Sequence, residues 1–112
     1  MPIEKWSDSV MIVHLGDEPQ FSEEMQCAAA LVPQSSSILD FAAVHFINSS
    51  NIAAMLRLRQ QLLEHKAKLV LCNVQNQVWT TFLVTGLDKV FDLSENVATA
   101  LATIKLNQPA GN

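Results

Sequence analysis

The chain has 112 residues, a formal net charge of −4, 49% hydrophobic residues and 16% charged ones. That length sets one domain over residues 1–112 as the expectation, and the composition is that of a globular chain, not a disordered one. Arg57 and Arg59 are the only closely spaced arginines, so there is no basic stripe for a nucleic acid, and no apolar run is long enough to predict membrane insertion.

Ile3 to Trp6 is expected as an edge strand that turns at Asp8-Ser9. Val10 to Leu15, "VMIVHL", is a β-rich run broken by Gly16 and Asp17. Phe21 to Val32 holds good helix formers, with Glu23 and Glu24 in the first turn where acid complements the helix dipole. Pro33 and the serines at 35 to 37 end that helix, and Ile38 to Phe41 is expected as a buried strand.

From about Ser50 to His65 the pattern is amphipathic. Ile52, Met55, Leu58 and Leu62 share one side and Leu56 and Leu63 widen it, while Arg57, Gln60, Gln61 and Glu64 repeat opposite. Lys68 to Val74, "KLVLCNV", is a near-continuous apolar run of the kind found in strands covered on both faces. Gln75 to Thr85 is expected as a helix with Val78, Phe82 and partly Trp79 inward, closed by Gly86. Lys89 to Leu93 reads as a short strand. Ser94 is expected to cap a last helix with Val97, Leu101 and Ile104 inward, followed by a frayed tail over 106–112.

The order β-β-α-β-α-β-α-β-α predicts a mostly parallel sheet with right-handed crossovers, whose sites lie at the carboxyl ends of strands and the N-termini of the following helices. "FINSSNIAAMLRLRQQL", Phe46 to Leu62, occupies such a junction. A hydroxyl there is a helix cap or an exposed group beside free backbone N–H groups, where a phosphate is tolerated.

Other chemistry finds little support. Two cysteines, Cys27 and Cys72, make neither a disulfide framework nor a zinc site, and Cys72 in its apolar run is expected as a buried reduced thiol. His14, His45 and His65 lack metal-ligand spacing, and no cofactor is expected. His65, near a helix C-terminus, is expected as a favourable dipole contact. There is no G-x-S-x-G elbow and, with three glycines in all, no phosphate loop, so no catalytic set converges. No secretory leader opens the chain, so a cytoplasmic setting is expected and the sequon at Asn48 to Ser50 is discounted.

"ILDFAAVHFINSSNIAAMLRLRQQL" followed by "AKLVLCNVQNQVWTTFLVTGLDKVF" resembles the STAS family, the domain of anti-sigma factor antagonists and sulfate transporters. The family pattern is a strand V-L-D-L, then F-I-D-S-S-G-L opening a long helix, then L-V-L-x-G-V and T-G-L-x-x-x-F. The match spans about residues 38 to 93, and Thr85 to Phe91 carries its last part. The resemblance implies an α/β STAS fold: four to five strands, mostly parallel, with an antiparallel edge strand and four interspersed helices.

It also implies a bacterial protein-binding regulator of the anti-sigma factor antagonist type, and not an enzyme. In that family the serine after the aspartate of D-S-S-G is phosphorylated by a partner that is both anti-sigma factor and serine kinase, and a phosphatase reverses it. By position this is Ser49, and Asp40 matches the acid ending the preceding strand. Asp40, Asn48, Ser50, Asn51 and Arg57 are the expected partner-binding residues.

The chain departs from the pattern at Asn48, where the family has aspartate, and at Asn51, where it has glycine. After the second strand the family keeps G-E-L-D or G-R-L-D, against Gly16-Asp17-Glu18-Pro19 here. Small stand-alone members also resemble the accessory subunit bound to the ATPase of lipid-transport ABC systems. A constitutive subunit without phosphate chemistry is therefore the alternative.

Overall fold

The computed structural model describes residues 3–7, 9–31 and 36–106. The turn residue Asp8, the residues Val32 to Ser35 that follow the first helix and the tail over 107–112 lie outside them. The elements run β1 (Ile3–Lys5), β2 (Val10–Gly16), α1 (Gln20–Leu31), β3 (Ser36–Ala43), α2 (Ser49–Glu64), β4 (Leu69–Cys72), α3 (Asn76–Thr85), a 3-10 turn (Leu87–Lys89), β5 (Asp92–Ser94) and α4 (Val97–Leu106). The five strands form one sheet in the order β1-β2-β3-β4-β5. β1 pairs antiparallel with β2, and all other pairs are parallel.

Each parallel strand is added on the same side of its predecessor. Right-handed crossovers then place α1, α2 and α3 on one face of the sheet, leaving the other for α4. The two cores match this. Met11, Val13, Leu15, Leu39, Phe41 and Leu71 point to one face and pack with Phe21 and Met25 of α1, Met55, Leu58 and Leu62 of α2, and Phe82 of α3. Val10, Ile12, Ile38, Val70 and Cys72 point to the other and pack with Ala100 and Ile104 of α4. Strands covered on both faces lose the alternation of apolar and polar residues, which is why "VMIVHL" and "LVLC" are continuous runs.

Phe21, Phe41, Phe82 and Phe91 form a chain of ring contacts across the larger core, with centroids 6.0, 6.3 and 6.3 Å apart. The first two contacts are edge-to-face, a preferred arrangement of aromatic quadrupoles.

Four local expectations need correction. Leu56 and Leu63 are exposed, because the stripe facing the sheet is narrow (Asn51, Met55, Leu58, Leu62) and these two lie a step of rotation beyond it. The strand expected over Lys89–Leu93 is a 3-10 turn followed by β5, with Leu87 and Phe91 buried four residues apart. The last helix is capped by Asn96, whose side-chain oxygen accepts from the Thr99 amide at 2.8 Å, while Ser94 ends β5. The helix-cap reading of the hydroxyls at the start of α2 also fails, because Asn48 is the cap. Gly86 does close α3, at φ 78°, in the left-handed region where a Cβ is strained.

Candidate functional site

At the carboxyl ends of β2 and β3 the chain enters two loops that are bound to each other. Asp17 accepts from the His45 amide (2.8 Å), the His45 imidazole (2.9 Å) and the Phe46 amide (3.3 Å). These bonds, the His45 amide first, hold the Asp17 carboxyl below its usual range. Glu18 accepts from the Ser22 hydroxyl (2.6 Å) and amide (2.9 Å), which lower its pKa in the same way, and from the Asn51 side chain (3.0 Å).

Asn48 is the N-cap of α2. Its side-chain oxygen accepts from the Asn51 amide at 2.8 Å, and the Asn51 side-chain oxygen accepts from the Asn48 amide at 3.0 Å. This is a reciprocal capping box built from two asparagines. Asn51 is 2% exposed, with both ends of its side-chain amide engaged. It is therefore a buried strut joining α2 to the loop after β2.

Ser49 and Ser50 are the first two residues of the helix. Both are exposed, and neither hydroxyl has a hydrogen-bond partner among the described residues. Among the described residues no imidazole or carboxylate is bonded to them. An open concavity beside them is lined by Asp17, Glu18, Phe46, Ile47, Asn48 and Asn51, and Phe46 is 71% exposed. Arg57 is exposed two turns along α2, where with Ser50 it lines a groove between α1 and α2.

Asp40 stands apart. It shares the parity of Ile38 and so faces α4, away from the α1–α3 side of the sheet. Its carboxylate accepts from the His14 imidazole (2.7 Å), the Asn73 side chain (2.9 Å) and the Ala42 amide (3.0 Å). Burial raises its pKa, but the bonds from Asn73, Ala42 and His14 outweigh this and leave it lowered. The structure thus brings together Asn48, Ser49, Ser50 and Asn51, places Arg57 further along the same helix, and does not bring Asp40 to them.

Asp17, Glu18 and His45 line or brace this candidate site; sequence pointed to Asp17 and Glu18 only as an acid out of register with the related pattern, and His45 was not singled out. The available signal was an acidic pair directly after Gly16, at the carboxyl end of a strand neighbouring β3. Among the described residues no group of three or more His, Cys, Asp and Glu is arranged to hold a metal ion, and no helix is long and apolar enough to cross a membrane.

A STAS domain family model matches residues 7–100. The fold is similar to that of a crystal structure of an anti-sigma factor antagonist from Thermotoga maritima, with a TM-score of 0.80 at 13% identity, covering 93% of each chain. It is also similar to the anti-sigma factor antagonist SpoIIAA in its unphosphorylated form, with a TM-score of 0.78 at 15% identity over 96% of this chain and 97% of that one. A sulfate transporter family protein from Wolinella succinogenes gives a TM-score of 0.71 at 13% identity, covering 88% and 84%. No curated protein sequence matches the chain.

Proposed function

The chain belongs to the STAS domain family, and we propose that it acts as a cytoplasmic, non-enzymatic binding protein of the anti-sigma factor antagonist type, with Ser49 as a phosphorylation switch. The observation that carries this reading is that Ser49 is exposed and has no structural task. Asn48 and Asn51 already complete the cap, so the hydroxyl beside them is free for chemistry.

The physics of the position suits a switch. A phosphate on Ser49 adds about 1.5 to 2 negative charges at the positive end of a helix dipole, so the domain keeps its fold. A partner packed over Asn48, Ser49, Ser50 and the Arg57 side of α2 would have to desolvate that charge, so the interface opens. In this reading the partner is an anti-sigma factor with serine kinase activity, and a phosphatase resets the site. Asn51 positions the loop that carries the surface, through its bonds to Asn48 and Glu18, while Asp40 braces β3 against β2 on the other face of the sheet.

A second reading is a constitutive accessory subunit, such as one seated on an ABC-transporter ATPase. It is favoured by Asn51, whose side chain closes the position the family keeps as glycine, and by the acids Asp17 and Glu18 flanking the helix start.

Intact mass of protein from its native cells, with peptide mapping of residues 46–57, tests the switch. Phosphate on Ser49, and loss of partner binding in Ser49→Asp but not Ser49→Ala, is the expected result. A chain that stays unmodified with the cell's kinases and ATP, and whose Ser49→Asp variant binds like the parent, moves the assignment to the constitutive subunit.

A further inference from the structure

A second surface lies at the other end of α2. Fourteen residues separate Ser49 from Leu63, about 21 Å along a helix. There, between the end of α2 and the starts of β4 and β5, a cleft is lined by Arg59, Leu63, Lys68, Val90, Phe91 and Asp92, among others. We propose that this cleft docks an acidic linear segment of another protein. One apolar side chain of the segment enters between Leu63 and Val90, and its neighbouring carboxylates meet Arg59 and Lys68. The proposal does not depend on the phosphorylation of Ser49.

Three observations carry it. Leu63 and Val90 are 50% and 37% exposed, a large apolar area left in water beside a concavity. Arg59 and Lys68 make no ion pair among the described residues. Finally, Arg59, Lys66, Lys68 and Lys89 gather at this end, four of the seven lysines and arginines of a chain with net charge −4. The acids nearby are Glu64, Asp88 and Asp92, so this end is net positive on an acidic protein.

The frame of the cleft is fixed before any partner arrives. Lys66 turns the chain at φ 59°, and the Ala67 amide returns to the Leu62 carbonyl at 2.8 Å. The Lys68 amide donates to the Ser36 hydroxyl at 3.0 Å, and its carbonyl accepts from the Ser37 amide at 2.8 Å. The Phe91 amide donates to the Leu87 carbonyl at 3.1 Å. A preorganised backbone lowers the ordering cost of binding.

Size and charge select the occupant. A cavity of about 130 Å³ is below the roughly 300 Å³ at which small-molecule pockets begin, and suits a single side chain. An anionic membrane recruits clusters of about 4 to 8 basic residues, whereas here three acids are interspersed among the four bases. An extended acidic segment can set each carboxylate against one cation and leave Asp92 facing water.

The test uses the isotope-labelled full chain, with backbone NMR signals followed as three probes are added: acetyl-DELLDE-amide, its neutral counterpart acetyl-NQLLNQ-amide, and phosphatidylserine-containing vesicles. The expected result is saturable shifts at Leu63, Ala67, Lys68 and Val90 with the acidic peptide only. They should weaken at least about tenfold, or 1.4 kcal/mol, in Arg59→Gln/Lys68→Gln and persist unchanged in Ser49→Asp. A thermal melt matching the parent shows that the double variant is folded, and Leu63→Ser provides an independent loss of binding. Equal binding of the neutral peptide, no shifts at this cleft at millimolar peptide, vesicle binding that needs Arg59 and Lys68, or self-association through this end in sedimentation would each overturn the proposal.

Discussion

His14 lies between two carboxylates. Its Nδ1 is 2.7 Å from Asp40 and its Nε2 is 3.2 Å from Glu4. A carboxylate oxygen only accepts, so both ring nitrogens must donate, and the ring that satisfies this geometry is the imidazolium. Burial lowers the His14 pKa, but the bonds to Glu4 and Asp40 raise it further, for a net increase above 6.5. Nitrogen-detected NMR at pH 6.5, the ordinary imidazole value, should therefore show His14 more than half doubly protonated; a ring mostly in a neutral tautomer at that pH would show that the bridge is not made. Cys72 is governed by the opposite balance. Burial first, then the charge of Asp40, pushes its thiol up to about 12. Under native conditions a thiol reagent should label the exposed Cys27 and leave Cys72 intact until denaturant is added. Native labelling of Cys72 would mean that the sheet opens beneath α4.

At the level of the element, the start of α2 separates structure from function residue by residue. Asn48→Ala removes the cap and should cost about 1 kcal/mol, up to about 2. Asn51→Ala also strands the Asn48 amide, and should cost about 1–3 kcal/mol. Ser49→Ala touches no bond and should stay within about 0.5 kcal/mol. Urea unfolding of the three variants measures the ranking, and a Ser49→Ala loss equal to that of Asn48→Ala would give Ser49 the structural task denied to it here. The same helix shows what could be read from sequence. Its extent, and the core positions Met55, Leu58 and Leu62, follow from 3.6-residue periodicity. Asn48 as the cap was legible, since asparagine caps a helix about as well as aspartate, but the reciprocal role of Asn51 was not, because it stands where the related pattern has glycine. The two departures from that pattern form one reciprocal pair in space. The bond from Asn51 to Glu18 spans 33 residues, so no local rule reports it. The misplaced strand near Lys89 has a local cause. Val90, Phe91 and Leu93 have strand-like chemistry, but Gly86 in the left-handed region turns the chain, so Leu87 and Phe91 reach the core at helical spacing.

At the scale of the whole molecule, alternating strands and helices predicted the sheet and its crossovers, whereas the placement of charge on it emerged only from the fold. That placement fixes how stability depends on pH. Asp17, Glu18 and Asp40 have lowered pKa values, so the stability they contribute is present above the unfolded values of 3.8 and 4.5 and is lost as pH falls through their folded values. Asp17 and Glu18 are solvent-screened and contribute little, so Asp40, part-buried with three donors, dominates this limb. His14 has a raised pKa, so its contribution is full below 6.5 and is lost as pH rises through the folded value. Glu24 is also raised, by burial above all. Its ionisation opposes folding, and it acts in the same direction as His14 as pH rises. The two limbs leave a stability maximum between about pH 4.5 and 6.5. Replacing His14 by Gln should remove most of the decline above that window, and replacing Asp40 by Asn should flatten both sides, because Asp40 takes part in both. Thermal melts of the parent and the two variants from acid to alkaline pH measure this directly. A parent curve that keeps rising beyond pH 7.5 would mean that the bridge from Glu4 through His14 to Asp40 does not hold β1 and β3 to β2 through its charge.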